Sequence, residues 1–194
     1  MVRIIVTEPD ELNTASWSGG ITTELFIWPK DGDYLERRFD FRISTAFVEL
    51  ESSTFTKLPG VKRYITPLVK EGFRLVINGN EKKLPLGEVL YFSGEDDITC
   101  YGSGRDLNLM LKHAKGNMQF IGPKKSVKLP KSEFVFIYTV ANTTILPSAP
   151  IRRTAEVGCC APVELPECTF ARLIGDGSFY TSGSIVLISA DPLE

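Results

Sequence analysis

At 194 residues, with 43% hydrophobic and 24% charged side chains, the chain is long enough to bury a real core and too ordinary in composition for disorder. A formal charge of -2 and a pI near 5.6 give no electrostatic drive toward nucleic acid or an anionic membrane. No apolar stretch reaches bilayer-spanning length, and the run in MVRIIVTEPD is too short for a signal peptide, so a cytoplasmic protein is expected.

Val2 to Val6 reads as a first strand, ended by the turn-prone Glu8-Pro9-Asp10, with one helical turn admissible over Pro9 to Asn13. Residues 13–23, NTASWSGGITT, read as a loop rich in glycine and hydroxyls, leading into a strand over Glu24 to Trp28. Trp17 in that loop is either the wall or lid of a site, or a plug at one end of a barrel. After a turn at Pro29 to Asp33 comes the stretch around which the chain is organised, Phe39 to Arg63. It opens as a strand with Phe39, Phe41, Ile43 and Phe47 on one face and Asp40, Arg42, Ser44 and Ala46 on the other. In a small barrel that second face lines a cavity; otherwise it is solvated. Phe55, a turn at Pro59-Gly60 and Arg63 follow, so two arginines are delivered to neighbouring strands.

Short apolar runs over Arg63 to Val69, Phe73 to Ile77, Val89 to Phe92, Ile98 to Tyr101 and Leu107 to Lys112 predict more strands, and Asn78-Gly79 is a strong hairpin signal. On the last of these runs Leu107, Leu109 and Leu111 share one face while Asp106, Asn108 and Met110 share the other. The lysine-, glycine- and proline-rich segment 114–132 reads as a linker or a strand pair. Phe134 to Val140, Cys168 to Ile174 and Ser184 to Ser189 read as strands, with Thr143 to Ala149 and Pro162 to Pro166 as loops. Many short strands with Gly/Pro punctuation and almost no helical periodicity predict an all-β barrel or sandwich.

Five motifs in order carry a family resemblance: Trp17-Ser-Gly-Gly-Ile-Thr-Thr-Glu24, Phe41-Arg-Ile-Ser-Thr-Ala46, Phe55 with Pro59-Gly-Val-Lys-Arg63, Phe92-Ser-Gly94, and Asp106-Leu-Asn-Leu-Met110. Together they resemble the HutD/Ves family. The resemblance implies a cupin-like double β-barrel (bicupin) in one chain, with residues 1–115 as the module carrying a ligand pocket and 116–194 completing the second, exchange of strands between them left open. Some family members are encoded with histidine-utilisation enzymes, and the family is suspected of binding a small acidic intermediate such as formylglutamate. This chain departs at Ser18-Gly19-Gly20, where the family commonly has an asparagine followed by three glycines, so no contact from that asparagine carries over. Beyond about residue 115 no family motif is matched.

Metal-dependent cupin chemistry needs several histidines, and this chain has one. His113 falls on the leucine face of its strand and is read as packed or surface. Glu95-Asp96-Asp97 reads as a solvated turn rather than a Mg²⁺ or Ca²⁺ site. No Gly-x-Ser-x-Gly is present, and Gly102-Ser-Gly104 and Gly175-Asp-Gly177 lack the strand-to-helix setting of a phosphate loop. The cysteines at 100, 159, 160 and 168 have no Cys-x-x-Cys spacing and read as reduced thiols. No metal and no other cofactor is expected.

What remains is a pocket with fixed cations. If the polar strand faces converge, Arg42, Arg63 and Asn108 can receive a small carboxylate, whose two oxygens match a guanidinium fork. Trp17 would close over the ligand, Thr22 or Ser44 would orient it, and Glu24 and Asp106 complete the candidate set. The bland alternative pairs Arg42 with Asp106 across adjacent strands and leaves Arg63 on the surface. The expected function is a metal-free binder of a small carboxylate-bearing metabolite, a sensor or regulator of amino-acid (histidine) catabolism rather than a catalyst. An enzyme with Glu24 or Asp106 as general base on a small sugar or amino-acid derivative is the first alternative, and a protein-interaction module the second. No nucleic acid or membrane partner is expected, and a homodimer is left open.

Overall fold

The computed structural model describes residues 2–148 and 161–193. Its strands, in chain order, are β1 (Arg3–Val6), β2 (Asn13–Trp17), β3 (Gly20–Trp28), β4 (Phe41–Val48), β5 (Ser52–Thr54), β6 (Lys62–Pro67), β7 (Phe73–Ile77), β8 (Asn80–Leu84) and β9 (Leu90–Ser93). They continue as β10 (Ile98–Tyr101), β11 (Gly104–Leu111), β12 (Ala114–Ile121), β13 (Lys125–Lys128), β14 (Phe134–Thr139), β15 (Thr143–Ser148), β16 (Val163–Leu165), β17 (Phe170–Ile174), β18 (Ser178–Thr181) and β19 (Ile185–Pro192). Among the described residues the helical content is a single 3-10 turn, Pro9–Glu11, and no helix is long and apolar enough to cross a membrane.

The chain divides into two compact units, one of residues 1–8 and 118–191, the other of residues 9–117 and 192–194. The first holds a five-stranded sheet ordered β1-β17-β14-β19-β12 and a four-stranded sheet ordered β13-β18-β15-β16. Its interior is hydrocarbon, with Val135, Ile137, Ala171, Leu173 and Leu187 of the larger sheet in one cluster with Val127, Ile145, Leu165 and Phe179 of the smaller. The other unit holds a six-stranded sheet ordered β2-β3-β4-β11-β6-β9 and a four-stranded sheet ordered β5-β10-β7-β8. Both of its sheets feed one apolar cluster, Ile65 and Phe92 from the larger and Phe73, Leu75, Leu84, Ile98 and Cys100 from the smaller. The face of β6 that carries Ile65 is therefore the interior face. Among the described residues each sheet is open rather than a closed ring, within an all-β fold.

Several segments differ from the sequence reading. Residues 13–23 are not a loop but a hairpin, β2 on β3, with Trp17 opposite Gly20. Its threonines are β-branched residues suited to a ladder, and Thr14 and Thr23 share a hydroxyl hydrogen bond of 3.0 Å across it. Of the two readings of segment 114–132, the strand pair holds, as β12 and β13, rather than the linker. Thr143 to Ser148 and Val163 to Leu165 pair with each other instead of looping, their short apolar runs masked by proline. Ala149, Cys159 and Cys160 lie outside the described residues; Cys100 and Cys168 are free thiols. The Asn78-Gly79 turn forms as expected, both residues at positive φ, and folds β7 onto β8. β8 escaped notice because it is an edge strand of charged residues, Glu81, Lys82 and Lys83, with one buried side chain at Leu84.

Candidate functional site

The site is built on three adjacent strands. β11 pairs with β4 so that Asp106, Asn108 and Met110 stand opposite Ala46, Ser44 and Arg42, and with β6 so that the same three stand opposite Pro67, Ile65 and Arg63. Directly opposed residues share a sheet face, so Arg42, Ser44, Arg63, Asp106 and Asn108 all lie on the Ile65 face, the interior. The leucine face of β11 points the other way, with Leu107 and Leu109 fully buried. β3 adds Glu24 opposite Ser44, next to a bulge at Leu25 that re-aims the strand.

These side chains are buried, none of the five more than 7% exposed. They form two hydrogen-bonded groups. In the first, Arg42 Nε donates to Glu24 Oε2 at 2.7 Å and Arg42 Nη1 donates to Ser44 Oγ at 3.0 Å. The Arg42 guanidinium also lies 4.3 Å above the Tyr34 ring. In the second, Arg63 Nη2 donates to Asn108 Oδ1 at 3.2 Å, and Asn108 Nδ2 donates to Asp106 Oδ1 at 2.7 Å. Met110, not Asp106, stands opposite Arg42, so the cross-strand Arg42–Asp106 pairing of the bland alternative gives way to Arg42–Glu24, and Arg63 is not at the surface.

Arg63 is the unusual member. Its guanidinium is held between Phe55 and Phe92, 5.1 and 5.0 Å from the ring centroids, with one long contact of 3.5 Å from Nη1 to the Thr56 carbonyl. Among the described residues it has no ion pair with a carboxylate and its buried Nε has no hydrogen-bond acceptor. A buried charged donor without a partner is costly to keep. Burial pushes the guanidinium down to about 10, which leaves it a cation at neutral pH. Burial also pushes the Asp106 carboxyl up to about 7, against the opposing pull of the Asn108 hydrogen bond and of Arg63.

Gly94 fixes where Arg63 sits. Its N–H and carbonyl bond Val61 and Leu58 at 2.7 Å each, clasping the turn before β6, and a Cβ there would lie 2.2 Å from the Leu58 carbonyl oxygen. The Phe92-Ser-Gly94 and Pro59-to-Arg63 motifs are thus one local structure.

The register carries Thr22, opposite Ala46, and Trp17, through Gly20 and Val48, onto the same sheet face as the cluster. Trp17 is 42% exposed at the far end of the β2–β3 hairpin, its ring across Gly19. Thr22 is half-buried opposite Ala46, and neither makes a hydrogen bond to the cluster among the described residues. The aromatic walls come instead from Tyr34, Phe55 and Phe92, which sequence reasoning did not name as site residues; the placement of Phe55 and Phe92 in the motifs around Arg63 was the available signal. A groove of about 280 Å³ lined by Ile21, Thr23, Thr45, Phe47 and Arg105 opens on the opposite face of the same sheet. It offers no buried charged side chain, so the interior cluster has the better claim to chemistry.

Paired open sheets without an α-helix among the described residues, and charged groups turned inward in one pair, define an all-β, cupin-like protein with a candidate anion site. The chain belongs to the HutD family, whose model matches residues 9–158. An uncharacterised 21.2 kDa protein from the hutC 3' region of Pseudomonas putida is 37% identical over 97 residues, 47% of this chain and 48% of that protein. The chain therefore spans about half the length of that relative. The structure of HutD from Pseudomonas fluorescens SBW25, from a formate condition, superposes with a TM-score of 0.75 at 21% identity, covering 99% of this chain and 100% of that one. Bacillus subtilis oxalate decarboxylase, described with Mn(II) centres, shares the fold at a TM-score of 0.56 and 6% identity, covering 97% of this chain and 77% of that one.

Among the described residues the side chains do not fit a transition-metal centre. The one histidine, His113, is exposed, two guanidinium groups occupy the interior face, and among the described residues no three His, Cys, Asp or Glu side chains gather into a metal-binding group.

Proposed function

We propose that this chain is a cytoplasmic receptor for a small carboxylate-bearing metabolite, held on Arg63, and that it acts as a sensor or buffer in amino-acid catabolism, histidine breakdown in particular. The observation that carries this reading is the buried Arg63 guanidinium whose Nε has no acceptor. A carboxylate supplies the missing acceptor and the missing countercharge in one group, and water-poor surroundings strengthen that bond. Arg42 is already neutralised by Glu24, so it acts as a wall that orients the ligand, with Ser44 and the Tyr34 ring. The formate condition of the Pseudomonas fluorescens HutD structure and the hutC neighbourhood of the Pseudomonas putida relative support choosing small acids of this kind as probes.

Calorimetric titration with formate, acetate, N-formylglutamate and N-acetylglutamate tests it. At least one acid should bind saturably to the wild type, and Arg63→Met should weaken that binding by about 100-fold or more, the scale of a lost charge-assisted contact in a desolvated site. Absence of binding, or equal binding by the variant, overturns the reading. A second reading rests on the placement of the Asp106 carboxyl, buried beside Asn108 and pushed up by that burial to about 7, where a general base works best. Turnover of an acylated amino acid that disappears in Asp106→Asn would favour that enzyme reading over the receptor.

A further inference from the structure

We propose that a carboxylate enters this site together with one proton, which the Asp106 carboxyl takes up. The inference rests on the carboxylate reading above and adds a regulatory property to it.

The argument is one of charge in a confined place. Arg42 and Glu24 cancel each other at 2.7 Å. That leaves one cation, Arg63, and one acid, Asp106, separated by a single amide: Asn108 accepts from Arg63 through Oδ1 and donates to Asp106 through Nδ2. Before any ligand reaches Arg63, an ionised Asp106 has Arg63 as its strongest opposing charge, linked to it through Asn108. A ligand carboxylate on Arg63 claims the same cation, so two anions would share one guanidinium in a place with almost no water. Protonating Asp106 restores neutrality without moving any side chain, and a protonated carboxyl still accepts from Asn108.

The other groups around Asp106 offer no substitute. From β4 comes Arg42, committed to Glu24 of β3; from β10 comes the Cys100 thiol, itself pushed up to about 12 and neutral. Arg105, next door on β11, also favours the ionised carboxylate but less than Arg63 does, since it stands opposite Phe47 on the other sheet face with its guanidinium 5.8 Å from that ring. Tyr34 acts on Arg63 from the loop before β4. Asp106 is also poised for the change, since burial holds it near 7 before any ligand arrives. A second negative charge nearby can only raise it further.

Calorimetric titration of the intact chain with formate, in buffers of different ionisation enthalpy, counts the protons directly. Near about pH 8.5 the wild type should take up close to one proton per formate, near about pH 6 almost none, and affinity should fall by up to about tenfold per pH unit above neutrality. In Asp106→Asn the uptake should vanish and the affinity become flat with pH. Saturable binding without proton uptake at the higher pH, or uptake that persists in Asp106→Asn, overturns this inference and leaves the carboxylate reading standing. Failure of formate and the other acids to bind at any pH overturns both. If Asp106→Asn does not fold, the buffer dependence of the wild type decides alone.

Discussion

The two units are built alike, a larger open sheet facing a four-stranded one, yet one interior is hydrocarbon while the other sets charged groups beside its apolar cluster. In the unit of residues 118–191 the facing surfaces carry Val, Ile, Leu, Ala and Phe, and the buried threonines Thr139, Thr143 and Thr181 all have hydrogen-bond partners. In the unit of residues 9–117 the corresponding faces carry two guanidinium groups, two carboxyls and an amide, one donor of which has no acceptor. Each unit also has an arginine with a buried, unbonded Nε, Arg172 and Arg63. Arg172 stands between Ile5 and Phe136 in its sheet, whereas Arg63 looks onto Asn108 and Asp106. The same scaffold thus makes one interior that is only a core and another that gives up core stability to present charge.

Breaking the hydrocarbon interior should have the largest effect. Phe179 is fully buried there, and Phe179→Ala should destabilise the chain by about 3–5 kcal/mol in chemical denaturation. An effect below about 1 kcal/mol would mean that this unit is not the stabilising core.

The converse substitution in the polar interior should stabilise. Asp106 releases its proton near 3.8 in the unfolded chain but only near 7 in the folded one, so between those values the folded state holds a proton that the unfolded state has lost. Stability therefore falls as pH rises from about 4 to about 7 and is level above that. Asp106→Asn should remove this penalty, gaining of order 2–4 kcal/mol at about pH 8 and little at about pH 4. Melting curves of both proteins at the two pH values check the sign.

Glu24→Gln should cost about 1–3 kcal/mol by leaving Arg42 without its countercharge, softened because Glu24 is one-fifth exposed. At the small end, Lys57 and Asp97 pair at 2.7 Å with both side chains more than half exposed. Lys57→Ala should change stability by less than about 0.5 kcal/mol, a baseline for the interior pairs.

Much of this contrast was legible in the residues. Alternation on Phe41 to Phe47 and Leu107 to Leu111, broken by Thr45, Ala46 and Met110, largely separates apolar from polar side chains, and the family motifs single out Arg42, Arg63 and Asn108. Which polar side turns inward was not legible, because that depends on the second sheet, which β5, β7, β8 and β10 assemble from distant segments. The Arg42–Glu24 pairing was hidden for a related reason: it needs the bulge at Leu25, which shifts register without a sequence mark. Trp17 stands out in the sequence as a lone aromatic among glycines, yet the walls near the charges are Phe92 on β9, directly opposite Arg63, with Tyr34 and Phe55 from the segments between strands. In segment 13–23 the glycines signal a loop, whereas its threonines pair into the β2–β3 ladder.

Nitrogen-15 spectra of the arginine side chains, recorded while formate is titrated in and assigned with Arg63→Lys, bear most directly on the idea that one buried guanidinium waits for an acid. The Arg63 Nε–H signal should move saturably as it gains an acceptor, while the Arg172 signal stays in place. Movement of both together, or of neither across the titration, would contradict the account.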